Sequence, residues 1–272
     1  MKRSISEIKK ICVKEETYDS VIIRITRKIT PYITWVLLRL GLSANKTTIL
    51  GMFVGTTGAV LLSINRPFTL ICGLFLLQLS NMLDYCDGEI ARYNNYYSKE
   101  KMYDISGAYL DWLWHFYIPT TTIFFLSLGL FSLTNAPHVF IIGFISILGF
   151  CIFPFTCKEH ILIDQLRKYP DIINNNDFKI AMMDHPQIVS DESVNKNRKM
   201  AFVLKQVSEW VYYPSFFNAL SLIVLADIIM ESYYFRYGYL IVLTFIILLH
   251  QLKKIKQTFM VLKKIKYDKK YN

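Results

Sequence analysis

The segment "DYCDGEIAR" begins at Asp84 and places two aspartates and Arg92 directly after a long apolar run. We expect a helix to continue through this segment, and a rotation of 100° per residue then puts Asp84, Gly88 and Ala91 close to one line. Asp87 then lies to one side of that line and Arg92 to the other. Glycine and alanine remove side-chain bulk beside the acids, so we expect another group to approach the backbone there.

A second set of residues repeats this logic further along the chain. Gly107, Asp111 and His115 are spaced four residues apart, which places them on one helical face. An aspartate at the centre of a membrane helix costs roughly 2.5–3.5 kcal/mol, and clustered carboxylates repel one another. A divalent cation such as Mg²⁺, Mn²⁺ or Ca²⁺ would remove both penalties. The alternative is that these are interfacial charges paired with Arg92.

The composition indicates which elements must position these residues. Hydrophobic residues make up 53% of the 272 residues, only 19% are charged, and the mean hydropathy is +0.30. This profile is typical of an all-α integral membrane protein that crosses the bilayer several times. Apolar runs of suitable length predict six transmembrane helices, at about 47–64, 68–83, 106–131, 138–157, 211–230 and 234–252.

The distribution of basic residues predicts the orientation of these spans. The connections "NRPF", "SLTNAP" and "ESYYFRYG" contain few basic residues, whereas the other connections and both tails are rich in them. The positive-inside rule therefore places both termini, and the acidic ends of the second and third spans, in the cytoplasm. The same rule accounts for the net charge of +10 and the pI of about 9.2, so we expect no nucleic-acid partner.

The chain divides into three regions by composition. Residues 1–45 form a cytoplasmic N-terminal segment, in which "TYDSVIIRITRKITPYITWVLLRLGLS" predicts an amphipathic helix on the inner membrane face. Residues 46–257 form the six-helix domain, with Ser43 or Asn45 capping its first helix and a cytoplasmic loop at about 158–206. Residues 258–272 form a basic cytoplasmic tail.

The pattern Asp-x₂-Asp-Gly-x₂-Ala-Arg, followed by Gly-x₃-Asp, resembles the signature of the CDP-alcohol phosphotransferases. The segment "ANKTTILG" also resembles the Pro-Asn-x-x-Thr entry to that family's first span, although Ala44 stands in place of proline. Motifs cover about residues 18–120, and the remainder is similar only in the number of spans. The resemblance implies a six-helix membrane enzyme that moves a substituted phosphate group from a CDP-linked alcohol to a hydroxyl acceptor and releases CMP.

The resemblance also implies roles for individual residues. Asp84, Asp87 and Asp111 would hold divalent metal, Mg²⁺ or Mn²⁺, as one ion or two. Arg92 would meet the phosphates of the CDP moiety. The residues expected along that moiety are Asp84, Gly88, Ala91, Arg92 and Gly107.

The chain departs from the family pattern at His115, where the family has a fourth aspartate. His115 could be the general base on the acceptor hydroxyl, because an ordinary histidine pKa near 6.5 suits work at neutral pH. It could instead be a metal ligand that shifts preference towards Mn²⁺ or Zn²⁺. A third possibility is that the site has lost its activity. We expect His115 and Asp111 to be the catalytic residues. The hairpin between Arg92 and Gly107 is also longer than in the family.

The expected function is phosphodiester synthesis, as in phospholipid biosynthesis, by an enzyme of a microbial inner or plasma membrane. The CDP-alcohol donor and the hydroxyl acceptor are not identified by the sequence, and a homodimer is carried over from the family. Two alternatives belong to other classes. A non-catalytic protein could retain the nucleotide or lipid site, and a small carrier would also keep carboxylates in the membrane.

Overall fold

The computed structural model describes residues 4–12, 21–98, 105–156 and 215–264. Helices account for 91% of these residues, and there is no strand among them. In chain order the helices are α1 (Ile5–Cys12), α2 (Val21–Arg39), α3 (Ala44–Leu62), α4 (Pro67–Tyr97), α5 (Ile105–Thr134), α6 (Pro137–Thr156), α7 (Ser215–Ile229) and α8 (Tyr234–Lys264). The predicted loop at about 158–206 and the end of the basic tail lie outside the described residues.

A helix occurs at each of the six positions where the sequence predicted a span, namely α3–α8. Among the described residues, three segments are long and apolar enough to cross a membrane: Pro67–Tyr97, Tyr109–Thr134 and Tyr234–Met260. Two shorter apolar helices, Pro137–Cys151 and Phe216–Ile229, accompany them. These features are consistent with a membrane protein. Helix α3 is not among these segments, and four threonines and three glycines account for seven of its 19 residues.

The glycines of α3 allow it to pack closely along α4, and α5 packs against α3. A Cβ on Gly58 would lie 2.8 Å from the carbonyl oxygen of Gly73, and the reverse substitution would meet the Gly58 carbonyl at the same distance. Because no side chain separates these backbones, α3 and α4 approach each other closely at Gly58 and Gly73. Helix α6 packs against α5 and α8, and α7 contacts α4 and α8.

Helix α3 starts at the residue that the sequence indicated. Ser43 is its N-cap, and the Ser43 hydroxyl accepts a hydrogen bond from the backbone N–H of Lys46 at 3.4 Å. Capping of this kind satisfies a backbone donor that has no partner within the helix. The side chain of Asn45, the other candidate cap, instead donates to the Ser106 hydroxyl at 3.0 Å and joins the start of α3 to the start of α5.

Helix α2 is present where an amphipathic helix was predicted, and its two faces differ in an unexpected way. The face buried against α4 carries Thr26, Thr30 and Thr34, together with Leu37 and Leu38. The exposed face carries an apolar stripe made of Ile25, Ile29, Tyr32, Val36 and Leu40. The threonines of this helix thus face the protein, whereas the outward side combines the apolar stripe with the exposed charged residues Lys28 and Arg39.

Candidate functional site

Helix α4 continues without a break through the acidic stretch, as the sequence predicted, and ends only at Tyr97. This continuity places Asp84, Asp87 and Gly88 on the wall of one pocket. Both aspartates are buried, with relative exposures of 9% and 6%. A buried carboxylate needs hydrogen bonds or a cation to offset its lost hydration, so the surroundings of these two groups indicate what the pocket can bind.

The residues predicted on the third span, which is α5, lie close to the aspartates of α4. Asp111 lines the pocket, and His115 is one helical turn further along α5. Asp84, Asp111 and His115 each offer one ligand atom, and these three atoms lie within 4.8 Å of one another. His115 Nδ1 is 3.8 Å from Asp84 Oδ1, which exceeds hydrogen-bonding distance. The ligand atoms of one divalent cation lie about 3 to 4 Å apart. The three atoms of this cluster would therefore need to move only slightly closer together to hold a metal ion.

Asp87 lines the pocket but stands outside this cluster of three. Its Oδ2 accepts a hydrogen bond of 2.5 Å from the hydroxyl of Thr48, in the first turn of α3. Such a short hydrogen bond to a carboxylate is strong and directional. Thr48 therefore fixes the orientation of Asp87, and its part in the site was not assigned from the sequence. The only available signal was its place in the "ANKTTILG" segment.

The pocket has a volume of about 340 Å³ and draws its walls from four helices. The residues expected along a nucleotide all line it: Asp84, Gly88, Ala91, Arg92 and Gly107. Arg27 of α2 and Asn45 of α3 also contribute to the wall. The pocket thus combines carboxylates with two arginines, which suits a ligand that carries both a bound cation and further negative charge.

Arg92 is held in place by the N-terminal helix. Its Nε donates a hydrogen bond of 2.7 Å to the backbone carbonyl of Cys12, the last residue of α1. Its Nη1 lies 3.2 Å from the position that a Cβ on Gly88 would occupy. The absence of a side chain at Gly88 therefore makes room for the guanidinium group as well as for a ligand.

Glu89, also in α4, lines the pocket and is buried at 3% exposure. Its two carboxylate oxygens accept hydrogen bonds of 2.6 Å from the hydroxyls of Thr30 and Thr34 in α2. These bonds fix the rotation of α2 against α4. Arg27 lies one turn before Thr30 on the same helix. The hydrogen bonds from Thr30 and Thr34 to Glu89 therefore also place Arg27 at the pocket wall.

Searches against protein-family models and among curated proteins found no match for this chain. The assignment of a function therefore depends on the residues of the pocket and their geometry.

Proposed function

We propose that this protein is a membrane phosphotransferase that moves a substituted phosphate group from a CDP-linked alcohol to a hydroxyl acceptor and releases CMP. The observation that carries the proposal is the convergence of Asp84, Asp111 and His115, from two helices, beside a pocket that two arginines also line. The Asp-x₂-Asp-Gly-x₂-Ala-Arg pattern, which resembles the CDP-alcohol phosphotransferases, supplies the identity of the nucleotide.

In this proposal each residue has a physical task. Asp84, Asp111 and His115 hold a divalent cation, Mg²⁺ or Mn²⁺, and Asp87 beside them is available to a second ion. When bound, the cation supplies charge neutralisation at the transferring phosphate. Gly88 and Ala91 leave room for the nucleotide.

The remaining tasks concern the phosphates and the proton. Arg92 binds the diphosphate through its η nitrogens, and Gly107 lines the opposite wall. The acceptor oxygen forms a bond to the phosphorus that carries the donor's alcohol, and the bond from that phosphorus to CMP breaks, so that CMP leaves with the electron pair. The hydroxyl proton passes to His115 or to Asp111. Reactions of this type need positioning and charge compensation more than covalent catalysis.

The same proposal includes the arrangement of the protein in a microbial inner or plasma membrane. Helices α3–α8 each cross the bilayer, and both termini lie in the cytoplasm with the pocket. Helix α2 lies on the inner membrane surface. Its apolar stripe, which includes Ile25, Ile29 and Val36, supports this location because such a stripe can enter the acyl-chain boundary while the helix remains docked on α4.

The experiment is an assay of CMP release by the purified protein in nanodiscs. CDP-diacylglycerol and soluble CDP-polyols are supplied as donors with a panel of alcohols, in Mg²⁺, in Mn²⁺ and in EDTA. We expect cation-dependent release that falls at least about 100-fold in Asp84→Asn, because a ligand and a charge are lost together. Glu231→Gln removes an exposed carboxylate at the other end of the bundle and should retain full activity.

Two results would contradict the proposal. CMP release that survives in Asp84→Asn would place the chemistry elsewhere. If no donor is turned over with either cation and the protein nevertheless binds CDP, the pocket is a nucleotide-binding site that does not catalyse phosphotransfer.

A further inference from the structure

Helix α1 covers the end of α4 that carries the pocket. Ile8 and Cys12 are both fully buried, although α1 has only eight residues. They belong to an apolar cluster with residues of α2 and α4, including Leu37, Ile90 and Tyr93. Burial raises the pKa of the Cys12 thiol to about 11, with the Glu89 carboxylate adding to the effect, so this thiol is neutral and packs as an apolar group.

Polar contacts attach α1 at several points. The Tyr97 hydroxyl, at the last residue of α4, donates a hydrogen bond to the Glu7 carboxylate. The Lys9 ammonium donates to the Tyr32 hydroxyl of α2 at 3.1 Å and lies 4.6 Å from the centre of that ring. The helix is therefore tied to both α2 and α4 by polar contacts in addition to its buried residues.

The contact between Cys12 and Arg92 has a consequence for the pocket. The last carbonyls of a helix have no partner within it and carry partial negative charge. The Cys12 carbonyl accepts from Nε of Arg92, which fixes the plane of the guanidinium group. Because the five donors of arginine form a rigid fork, fixing Nε also determines where Nη1 and Nη2 point. Nη1 lies beside Gly88 on the pocket wall.

We propose that α1 is a positioning element, which holds Arg92 through the Cys12 carbonyl so that the η nitrogens meet the phosphates of the bound ligand. The identity of that ligand as a nucleoside diphosphate rests on the proposed function. Coupling of this kind is reciprocal. If docking of α1 strengthens phosphate binding, then bound phosphate also strengthens the docking of α1.

The test compares two full-length variants that each add a lysine to α1. Ile8→Lys places the charge in the buried cluster and should undock the helix. Ser6→Lys places it at an exposed position of the same helix and serves as the control. The probes are CDP and cytidine with Mn²⁺, titrated by calorimetry in nanodiscs. We expect Ile8→Lys to weaken CDP binding about tenfold, the order expected for one charge-assisted hydrogen bond, and to leave cytidine binding unchanged.

A double variant distinguishes positioning from a general loss of structure. Arg92→Ala alone should weaken CDP binding at least as much as Ile8→Lys does, and adding Ile8→Lys to it should cause no further loss. The milder Ile8→Ala replaces Ile8→Lys if the latter does not fold. CDP affinity within twofold of wild type in Ile8→Lys, or an equal loss in the Arg92→Ala background, would overturn the proposal.

A measurement without ligand keeps this inference separate from the proposed function. Arg92→Ala should increase amide hydrogen exchange in residues 5–12 at least severalfold, because the Cys12 end of α1 loses its anchor. If wild type binds no CDP and this increase occurs, the proposed function fails but the role of α1 in holding Arg92 stands. Unchanged exchange in Arg92→Ala would overturn the role of α1.

Discussion

At the scale of single residues, the chemistry of the site depends on which side chains share a ligand and which are fixed by neighbours. Asp84, Asp111 and His115 converge on one point, whereas Asp87 is held by Thr48. The spacing along α5 placed Asp111 and His115 on one helical face, whereas the expectation that Asp84 and Asp111 hold the same metal came from the resemblance to the family. The bond from Thr48 to Asp87 joins residues 39 positions apart, and it depends on the register between two helices, which no local pattern specifies.

Thr48→Val should reduce CMP release while leaving the fold intact. Valine keeps the shape of threonine but removes the hydroxyl that orients the Asp87 carboxylate, so we expect kcat/KM to fall about tenfold. Thr47→Val is the matched control, because Thr47 is also buried in the first turn of α3 and its hydroxyl bonds to the Ser43 carbonyl at 3.0 Å. Equal losses in the two variants would show that orientation of Asp87 is not responsible.

His115→Asp should change the cation preference of the site. An imidazole nitrogen favours Mn²⁺ relative to Mg²⁺, whereas a carboxylate oxygen suits Mg²⁺. We expect the ratio of Mg²⁺ affinity to Mn²⁺ affinity to rise about tenfold in the variant, as measured by calorimetric competition between the two ions. An unchanged ratio would mean that His115 does not contact the cation and acts only on the acceptor hydroxyl.

At the scale of helices, the pocket depends on how α1 and α2 are fixed against α4. Glu89 of α4 attaches α2 by accepting hydrogen bonds from the hydroxyls of Thr30 and Thr34. The sequence offered no partner for Glu89. Threonines four residues apart on α2 were the available signal, and they became informative only once the structure showed that this face is buried.

The double variant Thr30→Val/Thr34→Val should destabilise the protein by about 3 kcal/mol, because it leaves a buried carboxylate without its donors. Adding Glu89→Leu should restore most of the lost stability, since replacing both partners of a buried polar contact by apolar groups of similar shape is nearly neutral. Thermal unfolding in one detergent measures both effects. Failure of Glu89→Leu to recover stability would show that the threonines act by another route.

At the scale of the whole molecule, the pocket and a buried ion pair lie at different ends of α4. Asp227 at the end of α7 accepts a 2.6 Å hydrogen bond from Nε of Arg236 in α8, and both side chains are almost fully buried. Arg236 also donates to Asn65 at 2.8 Å, just before α4 starts at Pro67. Asp84 is 17 residues further along α4, about 26 Å from that start.

Arg236→Met should lower stability by about 3–5 kcal/mol, because it leaves the Asp227 carboxylate buried without its cationic partner. The distance from the pocket predicts that the folded fraction retains its CDP affinity. Arg66 is an exposed arginine next to Asn65, just before α4. Arg66→Met should therefore have little effect on either stability or CDP affinity. Thermal unfolding and CDP titration check the two parts, and weakened CDP binding in folded Arg236→Met would contradict the separation of the two ends.

The helices were largely predictable from the sequence, because apolar runs, caps and turn residues are local features. The start of α3 at the Ser43 cap and the passage of α4 through the acidic stretch are two examples. The ion pair between Asp227 and Arg236 was not predicted, since it depends on the turn between α7 and α8. The attachment of α1 was also not predicted. Ile5, Ile8 and Cys12 give this helix an apolar face, but eight residues are marginal as an independent helix and a local pattern does not identify the docking partner.

In the proposed function, side chains from α4 and α5 form one cation site in the phosphotransfer pocket. The most direct test is Mn²⁺ binding to the purified protein in nanodiscs, followed by electron paramagnetic resonance. We predict saturable binding to the wild type that Asp84→Asn and Asp111→Asn each weaken at least about tenfold and that Glu231→Gln leaves unchanged. Absence of saturable binding, or equal affinity in all four proteins, would contradict the claim.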